Sequence, residues 1–242
     1  MDTYNHKIID LKNISIKQLY KIALLEGEGL GTAYEYFVKL RLLNKEFRNS
    51  IDKQIKTILI YGLPKKYGFS MDFLIFCRQL GIIPDVYDNR IEKIKNHKQI
   101  ILEIKNKLDF KIECNYISET NKKYDLILSC EVLQRYSGTQ LKEFVNKVEE
   151  HSKCYAIFVP NKNNEKHAKV SGLNSFNEDE LKNVFNRSGI IGFMDAPPFP
   201  PGKRAKKKVN NELIIKILEV YSWFEWLINK KNKHIIYHIK KL

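Results

Sequence analysis

The chain has 242 residues, of which 43% are hydrophobic and 12% aromatic, which is typical of a folded domain and excludes a disordered chain. The four cysteines, Cys77, Cys114, Cys130 and Cys154, form no C-x-x-C pair, which argues against a zinc site, a redox motif or a disulfide framework. The formal net charge of +14 comes mostly from dispersed lysines, so we interpret it as solvated surface charge, with an anionic partner as the alternative.

The N-terminal part, residues 1–55, is predicted to form a helical cap in front of the main domain. Ser15 can cap a first helix. After the glycine-rich stretch at 26–31, the side chains of Thr32 and Glu35 predict a capping box that begins a second helix. A glycine-rich turn ahead of a helix can present amides to an anion, although a plain helix–helix connection explains it equally well.

From residue 57 onward, short apolar runs alternate with helical patterns. Strands are predicted at 57–61, 84–88, 110–117, 124–130, 154–159 and 190–194, with a last alternating run at 234–239. Because strand and helix alternate along most of the chain, the sheet should be mainly parallel. The sequence therefore predicts an α/β domain over residues 56–242.

Polar residues stand just past the ends of several predicted strands. Ser129, Cys130 and Glu131 close the fourth strand, and Asp88 closes the second. In a parallel sheet the strands end at one edge, and open α/β sheets bind their ligands there. We therefore expect Gly62, Asp88, Glu131 and His167 to converge at this edge.

The fourth-strand run, YDLILSCEVLQRY at 124–136, resembles the fourth strand of class I S-adenosylmethionine-dependent methyltransferases. A later series is similar in order and spacing to the ubiquinone-biosynthesis-like (type 11/12) subgroup: Val159-Pro160-Asn161, His167, residues 174–181 and Ser188-Gly189. The resemblance covers residues 57–242. It implies a Rossmann-like sheet of seven strands with helices on both faces, whose last strand is antiparallel and inserted between the fifth and sixth.

The glycine loop departs from the family pattern. In the run IYGLPKKYG at 60–68, Gly62 and Gly68 are present, but the acid that ends strand one and the middle glycine are missing. The cofactor, S-adenosyl-L-methionine, therefore either binds in a modified way or no longer binds. We expect binding, because Asp88 stands where an acid can accept hydrogen bonds from both ribose hydroxyls. Capping of the following helix is the alternative role of Asp88.

The resemblance also implies the other site residues. The cofactor is expected to contact Gly62, Gly68, Asp88, Ile117, Cys130 and Glu131. The substrate is expected to contact Tyr34, Tyr36, Arg135 and Asn161, although core packing is an equally good role for the two tyrosines. His167 is the expected general base, because an unshifted histidine titrates near neutrality; a solvent-exposed loop histidine is the competing interpretation. No metal is expected.

Residues 197–232 are predicted to form a helical insertion between the last two strands. A proline-rich linker and a basic cluster at 203–208 precede its helix. Because the sixth strand ends and an antiparallel seventh begins at the same edge, the insertion should lie over the active-site face. We expect its apolar stripe to dock onto the domain, with a lipid or dimer surface as the alternative: Leu213, Ile217, Leu218, Tyr221, Phe224 and Ile228.

These patterns predict a methyltransferase that acts on a small-molecule or lipid-like acceptor, by O- or N-methylation. An RNA methyltransferase is the second interpretation, supported by the basic cluster and the net charge. A catalytically inactive partner subunit is the third, suggested by the altered glycine loop. Because the sequence has no apolar segment of membrane-spanning length and no signal-peptide pattern at its start, we expect a cytoplasmic protein, which could form a homodimer.

Overall fold

The computed structural model describes residues 14–65, 68–171, 174–195, 212–227 and 233–241. In these ranges one sheet contains the strands β1 (Ile58–Tyr61), β2 (Asp85–Tyr87), β3 (Asn115–Tyr116), β4 (Tyr124–Cys130), β5 (Ser152–Pro160), β6 (Ile190–Met194) and β7 (Ile235–Lys240). Their order is β3-β2-β1-β4-β5-β7-β6. β7 runs antiparallel to β5 and β6, and the other pairs are parallel. The predicted fold class, with an antiparallel last strand between the fifth and sixth, is confirmed.

Helices cover both faces of the sheet, as predicted. They are α1 (Ile16–Leu25), α2 (Leu30–Gln54), α3 (Met71–Gln79), α4 (Ile91–Leu108), α5 (Gly138–His151), α6 (Glu165–Ser171), α7 (Glu178–Val184) and α8 (Glu212–Phe224). One apolar core includes Leu19, Leu43 and Phe76 from α1, α2 and α3, and a second includes Val148 and Leu181 from α5 and α7. None of the described helices is long and apolar enough to cross a membrane.

The first helix begins as its sequence predicts. The Ser15 side chain accepts a hydrogen bond from the amide of Gln18, and the Gln18 side chain accepts one from the amide of Ser15. The second helix begins earlier than predicted, at Leu30, with Gly29 as its extended N-cap residue. The proposed capping box is therefore wrong, because Thr32 already lies in the first turn, where its hydroxyl donates to Glu28. The division into a cap of residues 1–55 and a domain of residues 56–242 stays a prediction.

Two other elements differ from their predicted form. β3 is confined to Asn115 and Tyr116, although the pattern predicted residues 110–117. Its neighbour β2 has three residues and pairs with Asn115 and Tyr116. Phe110 lies under the guanidinium of Arg78, which also donates a hydrogen bond to the carbonyl of Lys111, so the segment before β3 packs against α3. The predicted loop after β5 contains the short helix α6.

Part of the predicted insertion lies outside the described residues, namely 196–211, with the whole basic cluster, and 228–232. The described part is α8 and the 3-10 turn Glu225–Leu227 that follows it. Predicted docking through Leu213, Ile217 and Phe224 is wrong, because these residues are 63%, 56% and 55% exposed. Leu218 and Tyr221 of the same predicted stripe do contact the domain, and Ile228 lies outside the described residues.

The docked face of α8 includes only part of the predicted stripe, and polar contacts fix the rotation of the helix. Ile215 and Leu218 are buried on this face. The Tyr221 hydroxyl donates to Asp195 over 2.5 Å, and the Arg41 guanidinium donates to Ser222 over 2.7 Å.

Candidate functional site

The carboxyl ends of β1, β2 and β4 meet at one edge of the sheet. Gly62 follows β1 with a φ of +82°, and a Cβ atom there would lie 2.6 Å from a methyl carbon of Val132. Its amide donates to the carbonyl of Tyr87 over 2.7 Å, which ties the ends of β1 and β2 together. Only glycine suits this turn, both for its backbone conformation and for the space available.

Asp88, at the end of β2, is the most heavily bonded carboxylate at this edge. Oδ2 accepts from the amide of Leu63 over 2.7 Å and from Nη2 of Arg90 over 2.7 Å. Oδ1 accepts from the amide and from Nε of Arg90, over 2.9 and 2.8 Å. Burial favours protonation, but these hydrogen bonds outweigh it and hold the pKa of Asp88 below its usual value. A carboxylate has about four acceptor positions, so these donors fill the ones it has.

A second arginine reaches the same point from the opposite side. Arg135, in the 3-10 turn after β4, donates to the carbonyl of Leu63, and its Nη1 lies 3.6 Å from Oδ2 of Asp88. Burial, followed by the charge of Arg90, lowers the pKa of Arg135. Its Nε is buried and meets no acceptor in the described part of the chain, so a donor is left for a ligand.

Two glutamates from the turn between α1 and α2 hold the loop that follows β1. Glu26 accepts from the amide of Phe69 over 3.0 Å and from the hydroxyl of Tyr36 over 3.0 Å. Glu28 accepts from the amide of Gly68 over 3.3 Å. The glycine-rich turn therefore brings carboxylates to loop amides. Tyr36, predicted to contact substrate, holds this loop.

A buried lysine lies behind the edge. Lys39 of α2 is 1% exposed, and its Nζ lies 2.9 Å from Glu35 and 3.0 Å from Asp72. It also donates to Sγ of Cys130 over 3.3 Å. Burial alone would lower the pKa of Lys39, but Asp72, Cys130 and Glu35 together outweigh burial and raise it. Burial raises the pKa of Asp72 to about 6 despite this partner. Cys130, predicted to contact the cofactor, is thus in contact with the lysine.

Glu131, the residue after β4, interacts electrostatically with several of these groups. Its φ of +55° is uncommon for a residue with a side chain, and such conformations cluster at functional sites. Its pKa is raised to about 8, first by burial and then by the charges of Glu35 and Glu28, against the lowering effect of Lys39 and Arg135. Carboxylates that are crowded and buried in this way are stabilised by an added cation. This edge can therefore receive a ligand with a positively charged end.

The structure brings together some predicted site residues and separates others. Gly62, Gly68, Asp88, Cys130, Glu131, Tyr36 and Arg135 lie at the edge with the contacts given above. Ile117 is beside them, because its amide donates to the carbonyl of Val86 in β2.

Tyr34 and Asn161 make other contacts in the described part of the chain. The Tyr34 hydroxyl donates to Glu225 over 3.2 Å, and the Asn161 side chain donates to the carbonyl of Lys233 over 2.8 Å. Tyr34 therefore connects α2 to the β6–β7 insertion, and Asn161 connects the end of β5 to the segment just before β7. His167 lies in α6, not in a loop, and its side chain is outside the described residues.

No family model matches the chain, and no curated protein matches its sequence. Among solved structures, it is similar to the magnesium protoporphyrin IX methyltransferase from Synechocystis PCC 6803 with bound SAM. The TM-score is 0.53 at 10% identity, over 88% of this chain and 81% of that chain. The methyltransferase domain of bacterial CtHen1 gives a TM-score of 0.53 at 9% identity, over 85% of this chain and 98% of that chain. The chain has the fold of these methyltransferases.

The raised pKa of Glu131 predicts how stability depends on pH. Between pH 5 and 8 the folded protein holds a proton on Glu131 that an unfolded chain, with a pKa of about 4.5, has lost. The folded state then binds more protons, so the free energy of unfolding falls as pH rises through this range. Glu131→Gln lacks this proton, so its free energy of unfolding should rise relative to that of the wild type as the pH goes from 5 to 8. Because water partly screens the side chain, we expect this relative gain to be on the order of 2 kcal/mol.

Urea unfolding at pH 5, 6.5 and 8 measures this difference. Glu143→Gln, at an exposed position of α5, is the matched control; because it keeps Glu131, its difference from the wild type should be the same at all three pH values. A constant offset between Glu131→Gln and the wild type at all three pH values would contradict a proton held on Glu131.

Proposed function

We propose that the protein is an S-adenosylmethionine-dependent methyltransferase that acts on a small-molecule or lipid-like acceptor, at oxygen or nitrogen. The observation that carries the proposal is the sheet order, with β7 antiparallel between β5 and β6, together with Gly62, Asp88 and Glu131 at one edge. The similar structure with bound SAM acts on magnesium protoporphyrin IX, which supports a small acceptor. The motif order from Val159 to Gly189 supports the ubiquinone-biosynthesis-like subgroup.

The residues at the edge fit this cofactor in charge. Its methionine part carries a sulfonium and an ammonium group, and the crowded carboxylates of Glu28, Glu35 and Glu131 would hold positive charge. These residues replace the acid that is missing at the end of β1, where Tyr61 stands. Asp88 would accept the ribose hydroxyls once its bonds to Arg90 open. S-adenosylmethionine, when bound, supplies an electrophilic methyl group.

The protein's own contribution to methyl transfer is alignment and exclusion of water, because the reaction is an in-line displacement. The loop held by Glu26, Tyr36 and Glu28 would fix one wall of the site. Lys39 and Asp72 would keep the wall behind Glu131 rigid. His167 remains the proposed base for an acceptor that must lose a proton.

One observation favours a second candidate, a catalytically inactive methyltransferase-like subunit. Asp88 is engaged by Arg90 and by the amide of Leu63, so the acceptor for the ribose is already occupied. If these hydrogen bonds never open, the protein has the methyltransferase fold but does not bind the cofactor.

Calorimetry with S-adenosylhomocysteine and S-adenosylmethionine separates the two candidates. We expect binding at millimolar ligand or tighter, and we expect Asp88→Ala to weaken it by about 1–3 kcal/mol, because buried polar partners are left unpaired. Asp179→Ala, which removes an exposed carboxylate from α7, is the control and should bind like the wild type. No binding of either ligand would refute the enzyme, and unchanged affinity in Asp88→Ala would remove that residue from the site.

A further inference from the structure

The exposed side of α8 is unusually apolar. Eleven large hydrophobic residues of the described chain are exposed, and six of them lie on α8 and the turn after it: Leu213, Ile217, Val220, Trp223, Phe224 and Leu227. Their exposed fractions run from 55% to 66%. Isolated exposed hydrophobic residues are ordinary, but a contiguous patch marks an interaction surface.

The six residues form one stripe, here called the outward face of α8. Five of them, Leu213, Ile217, Val220, Phe224 and Leu227, follow one another at helical spacings of three and four, and Trp223 lies beside the stripe. The opposite face is the one that docks, through Ile215, Leu218 and Tyr221. Because that docking fixes the rotation of the helix, the outward face points away from the core.

Charge distinguishes between the surfaces that could cover this face. Lys216 is the exposed polar residue within the stripe. The acids of α8 and of the turn after it are directed elsewhere. Glu212 pairs with Lys17 over 2.5 Å, the half-buried Glu219 lines a groove with Arg41 of α2, and Glu225 is buried against Tyr34. In sequence, the helix is preceded by KRAKKK at 203–208 and followed by Lys230 and Lys231.

We propose that the outward face of α8 binds the surface of an anionic lipid membrane, with the helix lying in the plane of the interface. An apolar helix face with Trp and Phe, flanked in the sequence by clustered Lys and Arg, is the pattern of interfacial helices. A second copy of this chain fits less well, because pairing two outward faces would bring together the basic sequences of two molecules that each carry +14. This inference does not depend on methyl transfer.

Trp223 is a reporter within the proposed surface. The chain has two tryptophans, so Trp226→Phe leaves Trp223 as the sole one. With vesicles of phosphatidylcholine and phosphatidylserine (three to one), we expect a blue shift of its emission and co-flotation of the protein. With phosphatidylcholine alone, binding should be at least about tenfold weaker, because the attraction to anionic lipid is lost.

A double variant tests the face itself. In the same background, Ile217→Ser with Val220→Ser should weaken vesicle binding about tenfold or more. The matched control is Ile91→Ser with Leu102→Ser, since these side chains are 72% and 49% exposed on α4. Far-UV circular dichroism checks that both variants are folded.

Three results would overturn the proposal. The first is equal vesicle binding by the two double variants, and the second is no preference for anionic vesicles. The third is a Trp223 emission that is already blue-shifted without lipid, together with a dimer in sedimentation that Ile217→Ser and Val220→Ser dissociate. That last result would assign the face to a second copy of the chain.

Discussion

Replacing Lys39 by Met is expected to lower the free energy of unfolding by about 3–5 kcal/mol, the cost of removing one partner of a buried ion pair. Lys39 is 1% exposed and is held by Glu35 and Asp72, and the Asp72 side chain is fully buried. Without the ammonium group, these carboxylates would face each other beside the thiol of Cys130 with no compensating charge. Urea denaturation at pH 8 measures the loss.

The same variant should be less impaired in acid. Burial already raises the pKa of Asp72 to about 6, and removal of the lysine would raise it further. At pH 5 the carboxyl is then protonated and uncharged, so the difference from the wild type should shrink. Lys39→Met combined with Asp72→Leu should also recover part of the loss at pH 8.

Lys45→Met is the control for loss of a lysine from α2, because its side chain is 80% exposed and its ion pair spans 3.8 Å. It should change stability by less than about 0.5 kcal/mol. If Lys39→Met behaved like this control, the buried lysine would contribute nothing to the fold behind the edge of the sheet.

Lys39 shows how far sequence alone leads to the site. It lies at helical spacing among Tyr36, Leu40 and Leu43, on the buried face of α2, so a lysine on an apolar stripe was visible as a signal. Its partner Asp72 begins another helix, and no spacing rule connects the two. The composition gave no reason to single out Lys39 either, because 42 residues of the chain are Lys or Arg.

The sheet was predictable because its strands are short apolar runs in a fixed alternation with helices. The exceptions are elements whose form depends on tertiary contacts. β3 is shorter than predicted, and the segment before it contacts Arg78 of α3. The capping box predicted at Thr32 does not form, because α2 starts one turn earlier. Asp88 was predicted as a site residue from its place after β2. Its hydrogen bonds with the Arg90 side chain could not be inferred from the sequence, since an arginine at this position could equally point to solvent.

Replacing Arg90 by Ala is therefore expected to strengthen the binding of S-adenosylhomocysteine, about tenfold. The Arg90 side chain donates two hydrogen bonds to Asp88, of 2.8 and 2.7 Å. It donates a third to the carbonyl of Leu63. A ribose that binds Asp88 must break these bonds, and hydrogen bonds to charged groups contribute about 1.5–3 kcal/mol. Removing the arginine leaves the carboxylate bonded to the amides of Leu63 and of residue 90, with acceptor positions open. Calorimetry at constant salt measures the change in Kd.

Lys93→Ala separates competition from general electrostatics. Burial, and then the charges of Arg90 and Arg135, lower the pKa of Lys93. Lys93 feels the charge of Asp88, but the hydrogen bonds and ion pairs described for Asp88 come from Leu63, Arg90 and Arg135. Its loss changes the net charge by the same amount and should leave the affinity within about twofold. If Arg90→Ala instead binds the ligand more weakly, Arg90 is part of the binding surface and moves with Asp88 onto the ligand. Equal tightening in both variants would mean that the edge responds only to its summed charge, and Asp88 would then have no special part in holding the ribose.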